Sequence, residues 1–130
     1  MGGRAGGGGG AGFSRGRAIS FAGAGGFSKG LSDADRADLT MWKNTGSSPA
    51  EIKAETARRI AANKKGAANV SKVRLTGKAG SYNVSWNDGK GNFAGSWSLG
   101  SDVSLSQAKK FANVIKHTGH SGLANYHLTH

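Results

Sequence analysis

Cysteine is absent from the 130 residues, which excludes disulfides and thiolate chemistry at once. Proline occurs once, at position 49, and aromatic residues make up only 8% of the chain. Acidic side chains number 7 against 18 Lys and Arg, a formal net charge of +11. No apolar run approaches the length of a membrane span or a signal-peptide core. These absences predict a soluble, cytoplasmic protein with no membrane contact, and the charge favours polyanionic partners, chiefly nucleic acid.

Glycine is plentiful instead: 23 residues, of which 13 fall within the first 30. Chain entropy is highest for Gly, and three scattered Phe do not offset the cost of ordering it. Residues 1–30 therefore read as a disordered Gly/Arg-rich arm, and 31–130 as one compact domain. The arm repeats Gly12-Phe13-Ser14-Arg15-Gly16 as Gly26-Phe27-Ser28-Lys29-Gly30. Each copy joins an aromatic face to a cation, so Arg4, Arg15 and Arg17 are candidate contacts to unpaired nucleic acid. A flexible linker with incidental Phe is the plainer reading, with ordering on a protein partner as a variant. Both copies fit G-x-S-x-G, and Gly7, Gly9 and Gly12 fit a dinucleotide fingerprint. Neither pattern has the strand-then-helix context its chemistry requires.

Charge is unevenly spread. Residues 31–66 carry seven positive and five negative side chains, whereas 67–130 carry seven positive and two negative. A first helix is expected over 33–43, capped by Ser32 and stopped by Gly46. Asp33, Asp35 and Asp38 suit its positive end and need no metal to explain them. Ser48, Pro49 and Glu51 form a capping box with Pro at the first helical position. The helix they open is expected over 49–65, closed by Gly66.

The second half reads as a sheet and a covering helix. Val73 and Leu75 alternate with Lys72, Arg74 and Thr76 in a strand over 70–76. Tyr82, Val84 and Trp86 alternate in a strand over 81–86, and Phe93, Trp97 and Leu99 in one over 92–99. Between them Asp88-Gly89 marks a hairpin turn. Ser104 and Gln107 make another capping box, and Leu105, Ala108, Phe111, Ala112 and Ile115 share one face of a helix over 104–118 ended by Gly119. The expected fold is α+β: a three-stranded antiparallel sheet packed against helices, with room for a short fourth strand over 123–129.

Helix, three strands, helix is the element order of double-stranded-RNA-binding domains, which residues 49–118 resemble. Those domains open their last helix with Ser-Lys-Lys-x-Ala-Lys-x-x-Ala, which Ser104, Ala108, Lys109 and Ala112 match. Leu105 and Ser106 replace two phosphate-binding lysines, and the loop 77–80 lacks the family's Pro and His. Three strands plus a helix are likewise similar to plant ethylene-response-type DNA-binding domains, which read DNA from the sheet. The opening Met1-Gly2-Gly3-Arg4 resembles that of small bacteriophage-encoded proteins, which implies the host cytoplasm.

All four histidines fall in the last fourteen residues: His117, His120, His127 and His130. With no Cys and almost no acid nearby, no metal or other cofactor is expected. Ribonuclease chemistry needs a base for the ribose 2′-hydroxyl, an acid for the leaving oxygen and cations for the phosphate. His117, His120 or His127 with Lys109, Lys116 and Arg74 would supply these. Tyr82, Trp86, Phe93 and Trp97 read better as core than as a base-stacking platform. The leading expectation is a non-enzymatic nucleic-acid-binding protein, RNA or DNA, with Lys72, Arg74, Lys90, Lys109, Lys110 and Lys116 as contacts. The alternatives are a metal-independent ribonuclease and a phage structural or inhibitory protein with a protein partner.

Overall fold

The computed structural model describes residues 17–130. Arg4 and Arg15 lie outside them. Polar side chains that satisfy backbone N–H groups start each of the three long helices. Ser32, Ser48 and Ser104 accept from the N–H three residues on, and Asp35, Glu51 and Gln107 reach back to the cap. They open α1 (Asp33–Asn44), α2 (Pro49–Ala68) and α3 (Leu105–Thr118). Before α1 a two-residue hairpin, β1 (Phe27–Ser28) and β2 (Leu31–Ser32), turns through Lys29 and Gly30, both at positive φ.

β3 (Val70–Thr76), β4 (Asn83–Asp88) and β5 (Phe93–Ser98) form an antiparallel meander in that order. The fold is α+β, with α3 laid across one face of this sheet. Leu75, Val84 and Trp97 align across the three strands. Leu75 and Val84 are fully buried against Phe111, Val114 and Ile115 of α3, and Trp97 meets Phe111 edge-on at 5.3 Å. The Trp86 ring lies over Gly95, where a Cβ would fall 2.6 Å from it.

Several expectations change here. Gly66 does not end α2. The helix continues to Ala68 and is capped by Asn69; Gly66 is where α2 touches the last residue of α3, Thr118. Phe93 is not core. A bulge between Trp86 and Asn87 pairs Asn87 with Phe93 and Trp86 with Gly95, which leaves Phe93 68% exposed. A second bulge between Ser71 and Arg74 puts Lys72 at φ +51°; Val73 and Leu75 face the core and Lys72 and Arg74 stay exposed as expected, but Thr76, expected outward, is buried. Leu105, expected on the apolar face of α3, is exposed in its first turn.

Residues 123–129 are not a strand. They continue a short helix α4 (Ser121–Ala124) into a 3-10 turn (Asn125–Leu128). Leu123, Ala124, His127 and Leu128 recur at helical spacing, and Ala124 joins the core while Leu123 and Leu128 pack against it. Of the expected arm, residues 17–30 pack on the domain as a strap. The Ile19 N–H donates to Leu75 O at 2.7 Å along the outer edge of β3. Further on, Asn113 Nδ2 donates to Gly25 O at 2.9 Å, and Phe27 stacks on His117 with ring centroids 4.8 Å apart.

Candidate nucleic-acid interface

Three carboxylates of α1 and α2, those of Asp35, Asp38 and Glu55, are spent on two arginines of α2. Arg59 reaches Asp35 Oδ1 at 3.3 Å, Asp38 Oδ2 at 2.9 Å and Glu55 Oε2 at 2.8 Å, while Arg58 pairs with the other oxygen of Glu55. Asp35 is 2% exposed. Its Oδ2 accepts from Asn63 Nδ2 at 2.9 Å and from the Ser32 N–H and hydroxyl at 3.0 Å. Burial raises the Asp35 pKa, but the bonds from Asn63 and Ser32 and the Arg59 charge outweigh it and hold the carboxyl below its ordinary value.

No such neutralisation reaches the lysines. Arg58, Arg59 and His127 form ion pairs within 4.0 Å, and among the described residues no lysine takes part in one. In the sheet and α3 half only Asp88 and Asp102 are acidic. The Asp88 carboxylate accepts the N–H groups of Lys90 and Asn92 at 2.8 and 3.0 Å, which shapes the β4–β5 turn and leaves Lys90 exposed at its tip.

Because α3 covers the Leu75, Val84 and Trp97 side, the opposite side of the sheet is left polar. Arg74, Ser85 and Ser96 align across it, beside the row of Asn83 and Ser98. Ser98 Oγ donates to Asn83 Oδ1 at 3.3 Å. The β4–β5 bulge adds Phe93 to this side, opposite Asn87. Hydroxyl, amide and guanidinium groups around one exposed ring suit phosphate and base contacts together.

Where β3 bulges, a cleft of about 400 Å³ opens between it, the end of α2, the strap and α3. Lys72 and Lys116 line it with Phe21, over a floor that includes Ala67, Val70 and Val73. Two expected contacts thus come together here, joined by Phe21 of the expected arm. Lys109 lies two turns before Lys116 on the same side of α3. Lys110 is instead partly covered: its side chain passes beside Gly25 and Gly26 of the strap. Arg17 is exposed at the start of the described chain.

The histidines occupy separate surroundings. His117 is stacked on Phe27; burial, then the neighbouring Lys116 charge, lowers its pKa. His127 is 3% exposed and its Nε2 makes no hydrogen bond, with Asp33 Oδ2 3.9 Å away. Burial lowers its pKa, aided by Lys110 and His130; Asp33 and the nearby Gly26 backbone oppose this without prevailing. His120 lines a cleft of about 290 Å³ with Asp35, Glu55, Arg58 and Arg59, which includes neither His117 nor His127. Both arginines there already face carboxylates, so that cleft offers a phosphate little surplus positive charge. His130 stacks on Tyr126 at 3.9 Å.

Among the described residues no group of three or more His, Asp or Glu is placed to hold a metal ion, and no helix is long and apolar enough to cross a membrane. The chain matches no protein-family model, no curated protein and no solved structure.

Proposed function

We propose that this chain is a non-enzymatic nucleic-acid-binding protein that grips chiefly the sugar-phosphate backbone. One observation carries the reading: Asp35, Asp38 and Glu55 are gathered on Arg58 and Arg59, and among the described residues the lysines of the sheet and α3 half are left without a carboxylate partner. Unpaired ammonium groups on a folded surface hold counterions in place of phosphates, and a polyanion releases them. Lys72, Arg74, Lys90, Lys109 and Lys116 are the contacts, and the open side of the sheet with Phe93 adds stacking. Lys110 contributes less, because the strap covers part of it. On this reading the protein works in the cytoplasm, the host's if the chain is phage-encoded.

The test is a gel-shift titration with labelled single- and double-stranded RNA and DNA over a salt series, without added metal. Affinity should fall steeply with salt, and Lys90→Gln and Lys109→Gln should each reduce the slope by about one. Shortened RNA would overturn the non-enzymatic reading and point to His120 with Glu55. No shift at low salt would overturn binding altogether and leave a protein partner as the alternative.

A further inference from the structure

We propose that the cleft walled by Lys72, Lys116 and Phe21 is a subsite for one unpaired nucleotide. The phosphate lies between the two ammonium groups, and the base lies against Phe21. The proposal rests on the nucleic-acid reading above and gives it a strand preference.

Three features converge on this cleft. Its volume, about 400 Å³, falls in the range of small-ligand pockets. Its walls carry two positive charges and no carboxylate; the single hydroxyl in its lining, that of Ser71, donates to Asp88 O at 2.6 Å. The third feature is the backbone of Lys72. At φ +51° it adopts a conformation that glycine enters freely and lysine at a cost in backbone energy. Lys29 shares that conformation, but a tight hairpin turn requires it there. At Lys72 no turn requires it: the residue sits in the β3 bulge, on the wall of the cleft. A strained residue kept where glycine would be easier is the mark of a side chain in use.

Phe21 is placed by the strap, two residues after Ile19 bonds to β3. Stacking on a phenyl ring tolerates any base, and bases inside a duplex are not free to stack. The site therefore takes single strands, with little discrimination among bases.

The test uses the full chain and two amide-resolved NMR titrations, one with AMP or CMP and one with inorganic phosphate. A gel shift with a short single-stranded oligonucleotide runs beside them. Amide signals of Phe21, Lys116 and the first residues of β3 should move together, with AMP and CMP alike and phosphate about tenfold weaker. Lys72→Gly suits the backbone, so its melting temperature should hold or rise while mononucleotide binding weakens about tenfold. Lys116→Gln should weaken binding to a similar degree. Oligonucleotide binding with the cleft amides unmoved, or unchanged affinity in both variants, overturns the subsite and leaves the nucleic-acid reading standing. Mononucleotides filling the cleft while no oligonucleotide binds overturns that reading instead and makes this a site for free nucleotides.

Discussion

Gly66 and Gly119 meet backbone to backbone. A Cβ on Gly66 would fall 1.9 Å from Thr118 O, and one on Gly119 would fall 2.5 Å from Gly66 O. In an exposed helix, Gly→Ala adds roughly 1 kcal/mol of stability. Here the sign reverses, because neither neighbouring backbone has room to retreat. Gly66→Ala is expected to destabilise the fold by about 1–3 kcal/mol, read as a lower melting temperature. A higher one would mean that α2 and α3 do not cross at this point.

Asp35 holds β2, α1 and α2 together through Ser32, Asn63 and Arg59. Asp35→Asn leaves Arg59 short of a charge partner and should cost about 2–4 kcal/mol. The carboxyl pKa is depressed in the fold, so its contribution is full above the ordinary value of 3.8 and is lost as pH falls through the folded value. Acid unfolding in Asp35→Asn should lack this component. An unchanged acid profile would show that Asp35 is not the group that titrates.

His117 and His127 act at a higher pH. Both are held neutral by burial, so the unfolded chain takes up their protons first. Their contribution to stability is full above the ordinary value of 6.5 and declines as pH falls from there through the depressed folded values. Since Phe27 rests on His117 and Gly26 on His127, the strap should loosen first. Faster proteolysis within residues 17–30 at pH 5 than at pH 7, reduced in His127→Leu, is the expected result. Equal cleavage at both would contradict it.

Phe93 separates binding from folding. At 68% exposed it supports little, so Phe93→Ala should change stability by less than about 0.5 kcal/mol. Single-strand affinity should fall severalfold. If affinity is unmoved, the open side of the sheet is not part of the interface.

Local signals explain what the sequence made legible. The pairs Ser48 with Glu51 and Ser104 with Gln107 act within three residues, and both capping boxes form as spaced. Tyr82, Val84 and Trp97 face the core as their alternation implies. Phe93 escaped that logic because one extra residue in a strand reverses the parity across it, and the bulge carries no mark in composition. Gly66 looked like a helix stop; only the approach of Thr118, far along the chain, shows its use. The cleft was half legible: Lys72 and Lys116 stood out as cations, but nothing near Phe21 announced that it would join them.

The bond from Asn113 to Gly25 spans 88 residues, which sets an order of events. Strap contacts close the longest loops in the fold, and such contacts form late because chain entropy must be lost before they contribute. During synthesis the strap leaves the ribosome well before α3 and His127, its partners. The strap thus waits for the sheet and α3 before it docks, and its Gly-rich, cationic character keeps it soluble in the interval. In pulse-labelled hydrogen exchange the amide of Ile19, bonded to Leu75, should gain protection after those of β3–β5. Protection gained together would show that the strap docks with the sheet.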